Sequence, residues 1–217
     1  MSDPLNHVVT YHKGKSMQRH SRRLLASAGA VAAVVVTAPV VVAAPQDTSS
    51  EAAANAHSEA AMNASRPNFK MPFQCGQSWR GANWKGHSPA HSVDWNHYDA
   101  NGNRDDYGRR VFSSAGGKVL ASYYSKNTGY GNTIVIGHGD GWQTRYAHLK
   151  TRAVQKGDKV RVGQKIGRVG KSSAKYDISA HLHYEQIHRG SVVVAVVQGV
   201  RWSDYKTRYQ TSRNRCG

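Results

Sequence analysis

Short apolar runs separated by turn residues dominate the chain from residue 111 onward. The runs are rich in Val, Ile and Tyr, which is typical of strands, and Gly-, Asn- and Asp-containing turns lie between them. No segment keeps the 3.6-residue apolar repeat of an amphipathic helix. The pattern therefore predicts a compact, mainly β domain with antiparallel strands and low helix content. The predicted strands lie in GKVLASYY, NTIVIGHG, WQTRYAHL, DKVRVG, QKIGRVG, HLHYEQI and SVVVAVV.

The N-terminal part of the chain has a different pattern. Residues 17–23 are basic, and residues 24–44 form an apolar stretch that ends in small residues, which is the layout of a secretory signal. An apolar stretch of this kind can also span a bilayer, but Pro39 and the many alanines favour a cleaved signal. We interpret residues 1–44 as a signal peptide region. The mature protein is then expected to be secreted, extracellular or in the cell wall, without stable membrane insertion.

Residues 45–66 are rich in Ala, Ser and Asn and cannot bury a core of their own. They are expected to form a flexible linker or a short pro-segment, followed by one folded domain over residues 67–217. The chain has two cysteines, Cys75 near the start of that domain and Cys216 near its end. An even pair in an exported chain predicts a disulfide, and a loop this long contributes about 4–5 kcal/mol in the chain-entropy model.

The charge balance of the folded domain is strongly basic. Residues 67–217 contain 24 Lys and Arg against 9 Asp and Glu, a formal net charge of +15. Such a surface suits a polyanionic partner. Export argues against genomic nucleic acid, which leaves an anionic membrane or anionic cell-wall polymers as candidate partners; the basic charge also fits a role in solubility alone.

The candidate chemistry lies in histidines. In SAHLHYEQ, residues 179–186, strand alternation places His181, His183 and Glu185 on one face. His148 lies near the end of another predicted strand. Several histidines together with a carboxylate suit a catalytic zinc ion, which needs three protein ligands and an open position for water. The sequence contains no HExxH motif and no G-x-S-x-G elbow, which argues against a helical zincin and a serine nucleophile.

Three segments occur together in a recognisable order: YGNTIVIGHGDGWQTRYAHL, then VQKGDKVRVGQKIGRVG, then HLHYE. In this order they resemble the lysostaphin-type (LytM-like) zinc metallo-endopeptidases, and the MPFQCGQSW and RNRCG ends are similar to the secreted bacterial branch. The resemblance implies an antiparallel β-sandwich or β-roll with a catalytic groove over residues 67–217. It also implies a monomeric peptidoglycan hydrolase that cleaves peptide bonds in stem or cross-bridge peptides.

Carried over by motif, the resemblance implies that Asp94 of SVDW and His183 bind Zn²⁺. His148 of YAHL and His181 are then the catalytic pair that does not hold the metal. Glu185 either orients a ligand histidine, since metal-bound imidazoles usually donate their other N–H to an oxygen, or is an exposed carboxylate at the strand edge.

The first metal ligand departs from the family pattern, because the expected histidine four residues before Asp94 is Ala90. His91 is three residues before Asp94, and an odd separation along a strand turns two side chains to opposite faces. His87 lies in a segment that contains Pro89 and reads as a loop, which could bring it round to the metal. We therefore prefer His87 over His91.

Two other functions compete with the enzyme. One is a catalytically inactive LytM-like module that binds the cell wall or activates a hydrolase. The other is a metal-free β protein that binds polyanions, which explains the charge but leaves the histidine motifs without a role.

Overall fold

The computed structural model of the protein describes residues 48–216. The expected signal peptide region, residues 1–44, lies outside the described residues. Within residues 48–216, no helix has the length and apolar character that crossing a membrane requires.

The described part contains one helix, α1, and fourteen strands. These elements are α1 (Thr48–Ser65), β1 (Ser78–Ala82), β2 (Val93–Asn96), β3 (Arg110–Phe112), β4 (Gly117–Ser125), β5 (Gly131–Gly139), β6 (Trp142–Ala147), β7 (Thr151–Arg152), β8 (Lys159–Val160), β9 (Lys165–Arg168), β10 (Leu182–His188), β11 (Ser191–Val193), β12 (Ala195–Val197), β13 (Val200–Trp202) and β14 (Thr207–Thr211).

The strands form three sheets, and all their pairings are antiparallel. The main sheet has nine strands in the order β14-β1-β2-β10-β6-β5-β4-β8, with β11 also paired to β10. The other two are the pair β12-β13 and the three-stranded sheet β3-β9-β7. The prediction of a mainly β, antiparallel domain with little helix is confirmed.

One apolar core joins the three sheets. It contains Ile134 from the main sheet, Ile166 from β9 and Trp202 from β13, all nearly without solvent exposure. On β10, Leu182 and Tyr184 point into this core. Strand alternation therefore turns the intervening residue His183 to the opposite face of the sheet.

The ends of the domain are joined as the sequence predicts. Cys75 and Cys216 form a disulfide that closes a loop of 141 residues. A hydrogen bond also connects the two ends of the domain, because the Ser212 hydroxyl donates to the Phe73 carbonyl at 2.7 Å.

The segment expected to be a flexible linker, residues 45–66, is largely helical. It forms α1, whose many alanines have the highest helix propensity. The last turn of α1 contacts the domain, because Met62 packs against a small cluster that contains Trp142 and the Trp142 indole N–H donates to the Ser65 hydroxyl at 3.2 Å. The sequence argument considered only the lack of large apolar residues, whereas alanine favours a helix even where a segment has no core of its own.

Candidate active site

The base of the site is a pair of strands in the middle of the main sheet. Asp94 on β2 lies directly opposite His183 on β10 in the antiparallel register. Their side chains point to the same face, and Asp94 Oδ1 is 2.9 Å from His183 Nδ1. Both residues are buried, so the sheet itself holds two of the sequence-predicted metal ligands together.

His87 reaches the same point from the loop between β1 and β2. Its Nε2 is 3.2 Å from Asp94 Oδ2. Its Nδ1 is 3.2 Å from the Ser92 hydroxyl and 3.3 Å from the Asn83 amide nitrogen. The ring is therefore fixed on one side and presents Nε2 to the carboxylate. Donor atoms of His87, Asp94 and His183 all lie within 4.8 Å of one another.

His91, the alternative first ligand, is directed elsewhere. Its Nδ1 is 2.7 Å from Asp204 Oδ2, and its backbone N–H donates to Asp204 Oδ1 at 3.1 Å. Its φ of 69° also places it in the left-handed region. The structure thus brings His87, and not His91, to the cluster around Asp94.

His148 and His181, the predicted catalytic pair, lie beside this cluster with their rings 4.7 Å apart. His148 Nδ1 bonds to the Ser172 carbonyl at 3.0 Å, and His181 Nδ1 bonds to the Ser179 carbonyl at 2.8 Å. Each ring therefore leaves Nε2 available, and His181 Nε2 is 3.4 Å from Asp94 Oδ2. His148 has a φ of 58°, a strained conformation of the kind that clusters at functional sites.

Glu185 is fully buried and is not an exposed strand-edge carboxylate. Its Oε1 accepts hydrogen bonds from His183 Nε2 at 3.0 Å and from the Tyr130 hydroxyl at 2.7 Å. Its Oε2 pairs with the Arg145 guanidinium at 2.8 Å. Glu185 thus binds the ring nitrogen of His183 that faces away from Asp94.

Sequence reasoning missed Tyr130 and Arg145. Arg145 lies opposite Glu185 in the register of β6 and β10, so an opposite-charge pair across two predicted strands was a usable signal. Tyr130 comes from a turn before β5, and no local pattern indicates that it reaches Glu185.

The pKa values of the site follow from burial and from these contacts. Burial alone would raise the pKa of Asp94, but hydrogen bonds from His183 and His87 outweigh it and hold that pKa well below its usual range. Burial lowers the pKa of His183, but Asp94 and Glu185 on either side of the ring raise it to about 9. Burial, with the charges of His181 and His183, lowers the pKa of His148 to about 4.

The donor set fits a zinc ion. Two imidazoles and one carboxylate are ligands that Zn²⁺ prefers, and three protein ligands are the usual number for a catalytic site. Glu185 accepts from His183 Nε2, which is the partner a ligand histidine needs on its second nitrogen. His87 meets a similar partner in Ser92.

A groove of about 500 Å³ is lined by the three candidate metal ligands and by the predicted catalytic pair, namely His87, Asp94, His183, His148 and His181. Two exposed aromatic side chains also line it: Trp84 is 51% exposed and Tyr176 is 63% exposed. The Trp84 ring lies 4.2 Å from the His87 ring. Tyr176 lies over Gly129, where a Cβ atom would come within 2.6 Å of the ring. The arrangement can hold an extended chain against a metal and two available imidazole nitrogens.

Residues 102–195 match Peptidase family M23. The matched range contains His148, His181 and His183 but neither His87 nor Asp94.

Two relatives illustrate the similarity in sequence. The chain is 42% identical over 90 residues to the peptidoglycan DD-endopeptidase ShyA of Vibrio cholerae, which is 41% of this chain and 20% of ShyA. It is 35% identical over 88 residues to the lipoprotein NlpD of Yersinia enterocolitica, which is 40% of this chain and 84% of that protein. The chain thus spans a fifth of the length of ShyA.

A solved structure described as the deep-sea M23 metalloprotease pseudoalterin has the same fold. The TM-score is 0.50 at 19% sequence identity, over 69% of this chain and 96% of the other.

Proposed function

The chain belongs to peptidase family M23, and from this premise we propose that it is a zinc-dependent endopeptidase that hydrolyses peptide bonds in peptidoglycan stem or cross-bridge peptides. The observation that carries the proposal is the convergence of His87, Asp94 and His183 at one point, with His148 and His181 beside them. A degenerate member of the family would be expected to lack part of this set.

In the proposed site, His87 Nε2, the Asp94 carboxylate and His183 Nδ1 would hold the metal. When bound, zinc supplies Lewis acidity, which polarises a carbonyl group and makes water a stronger acid. Glu185 fixes the His183 ring through Nε2. Because the His183 ring must be neutral to use Nδ1 as a ligand, a proton competes with the metal for this nitrogen.

His148 and His181 are the proposed proton-handling residues. The pKa of His148 is lowered to about 4 by burial and by the neighbouring histidines, so its ring is neutral at pH 7. The carbonyl of Ser172 holds the Nδ1 proton of His148, and the carbonyl of Ser179 holds that of His181. One free Nε2 can accept a proton from the attacking water and pass it to the leaving amine, while the other imidazole hydrogen-bonds the developing oxyanion.

The proposed location is outside the cytoplasm, in the secreted or cell-wall fraction, with peptidoglycan peptides as the partner. The apolar stretch of residues 24–44 supports this as a sequence pattern. The similarity to a peptidoglycan DD-endopeptidase and to a lipoprotein supports it further.

A second candidate function is a module that activates another wall hydrolase and does not cleave peptides itself. Its support is 35% identity over 88 residues to the murein hydrolase activator NlpD of Escherichia coli. The two functions differ in one respect: only the enzyme needs the metal ligands and the His148–His181 pair for its effect.

An assay on purified peptidoglycan distinguishes the endopeptidase from the activator. The full chain, loaded with Zn²⁺, is incubated with the polymer, and released fragments and new amino groups are measured by mass spectrometry and amine labelling. We expect peptide-bond cleavage by the parent and by His91→Ala, and none by His183→Ala. Absence of new amino groups with the zinc-loaded parent, together with stimulation of an added amidase, would instead support the activator.

A further inference from the structure

A second cavity, of about 440 Å³, adjoins the metal site on the side of β1 and β2. It shares Trp84, Asp94, Ile178 and His181 with the groove that opens onto the metal ligands. A chain lying across the site can therefore continue from one cavity into the other. What distinguishes the second cavity is a pair of arginines, Arg80 and Arg104.

The two arginines come from separate elements. Arg80 lies on β1, in register with Asn96 on β2 and Tyr209 on β14. Arg104 lies in the loop after β2 and forms an isolated backbone bridge with Tyr98. Two independent parts of the fold thus bring a guanidinium group to the same cavity.

Neither guanidinium has a protein partner among residues 48–216, where no ion pair or side-chain hydrogen bond involves Arg80 or Arg104. Other arginines of the region are neutralised: Arg145 pairs with Glu185, and Arg109 pairs with Asp105. Asn96 of the cavity wall donates to the buried Asp106 at 2.8 Å, so that carboxylate is already bound. The charges of Arg80 and Arg104 are therefore available to a ligand.

The surrounding charges favour an anion. Asp94 is the only acidic side chain among the described residues that line either cavity, and His87 and His183 already contact it. Lys175 adds a further cation to the wall of the first groove. A cleft lined by one sign of charge attracts ligands of the opposite sign, and the planar guanidinium group of an arginine can bind a carboxylate through two parallel hydrogen bonds.

We propose that Arg80 and Arg104 form a subsite that binds a carboxylate of the substrate, next to the bond that is cleaved. The substrate class is then a stem peptide with free carboxylates near the scissile bond, in preference to a neutral oligoglycine bridge. This inference rests on the proposed endopeptidase function, since it assigns the specificity of the same site.

Matched peptides provide the test. The probes are a cross-linked stem-peptide dimer with free carboxylates and the same dimer with those carboxylates converted to carboxamides, assayed with the zinc-loaded full chain. We expect kcat/KM to be about tenfold or more higher for the carboxylate form, since charged hydrogen bonds of this kind are lost with the amide. The difference should lie mainly in KM, because this carboxylate takes no part in bond breaking and is bound equally in the ground and transition states.

In the Arg80→Gln/Arg104→Gln variant, the ratio of kcat/KM for the carboxylate form to that for the carboxamide form should fall to near unity, because the carboxylate form loses its two cationic partners. Arg110→Gln is the matched control, because Arg110 is exposed on β3 and lines neither of the two cavities. Zinc content and circular dichroism of the double variant verify its fold. The single variants Arg80→Gln and Arg104→Gln should each show a preference for the carboxylate peptide that lies between those of the parent and the double variant.

The outcomes separate the two proposals. The carboxylate subsite would be overturned if the parent cleaved both peptides equally well, or if the double variant kept the parent's preference for the carboxylate peptide. Either result would leave the endopeptidase proposal intact. If neither peptide is cleaved, the endopeptidase proposal fails. Binding of the carboxylate peptide to the protein, measured by calorimetry, then tests the carboxylate subsite by itself. Weaker binding by the double variant than by Arg110→Gln would then support the subsite, and equal binding would overturn it.

Discussion

Asp94 and His183 face each other across two neighbouring strands, with Oδ1 and Nδ1 2.9 Å apart. Because both residues sit on paired strands in the interior of a sheet, their separation is fixed by the backbone ladder and not by a mobile loop. His87 joins them from a loop that Asn83 and Ser92 hold in place. Strand pairing and the loop contacts thus hold the donor atoms in a fixed arrangement, which favours high metal affinity.

We predict that Glu185→Gln weakens zinc binding by about 10- to 100-fold, the usual cost of losing the residue that orients a ligand histidine. The substitution keeps the shape of the side chain but removes the charge that His183 and Arg145 contact. It should also lower the free energy of unfolding by about 3 kcal/mol, because a partly buried Arg145 loses its counter-charge. Competition with a chromophoric chelator measures the first effect, and urea unfolding measures the second.

Tyr130→Phe is the matched control for Glu185→Gln. It removes one hydrogen bond to Glu185 but leaves the negative charge of Glu185 in place, so its effect on zinc affinity should be less than about tenfold. Zinc affinity that is unchanged in Glu185→Gln would contradict the orienting role of the carboxylate.

We predict that His148→Asn and His181→Ala keep their zinc but lose cleavage, with kcat about 10²- to 10⁴-fold lower, the range for loss of a general acid or base. Asn is chosen at position 148 because the residue has a φ of 58° and Asn tolerates the left-handed region. Elemental analysis and a peptidoglycan assay on the same samples check both statements. Loss of zinc in either variant would place that histidine among the metal ligands.

The disulfide should make a large contribution to stability. Cys75→Ala/Cys216→Ala opens a loop of 141 residues and should lower the free energy of unfolding by about 4–5 kcal/mol in the chain-entropy model. Thermal unfolding of the parent with and without reductant, beside the double variant, measures this. An unchanged melting temperature would show that the Ser212–Phe73 contact and the β1-β14 pairing hold the ends together without the covalent bond.

His138 on β5, which is not among the candidate metal ligands, is expected to make the free energy of unfolding depend on pH. Burial lowers its pKa, and its ring nitrogens contact the Gly116 carbonyl and the Thr144 hydroxyl. The unfolded chain therefore binds the proton more readily, so the stabilisation is present above about pH 6.5, the ordinary histidine value, and is lost as the pH falls through the lowered pKa. Between pH 7 and pH 5, the parent should lose more unfolding free energy than His138→Gln. Equal losses would mean that His138 does not titrate differently in the folded state.

Much of the fold followed from local patterns in the sequence. Strand alternation alone predicted that His183 and Glu185 share a face, and the structure places both on the side opposite Leu182 and Tyr184. The helical segment α1 was not predicted, because its alanines produce no apolar stripe for a periodicity argument. Its contact with the domain depends on Trp142, which is 77 residues beyond Ser65 in the sequence.

The site was harder to predict because its members come from separated segments. Motifs indicated Asp94, His148, His181 and His183, but the family pattern left the first ligand open. Strand parity argued against His91, and the contact of His91 Nδ1 with the Asp204 carboxylate supplies a physical reason that the sequence does not contain. The contact of Tyr130 with Glu185 joins residues 55 positions apart, and only the folded chain reveals it.

Zinc content of the purified full chain tests the metal site most directly. Elemental analysis is made on the parent and on His87→Ala, His91→Ala, Asp94→Asn and His183→Ala after reconstitution with Zn²⁺ and removal of excess metal. We predict one zinc per chain in the parent and in His91→Ala, and loss of zinc in the other three. A parent that holds no zinc, or a site that is lost with His91→Ala and kept with His87→Ala, would contradict the assignment.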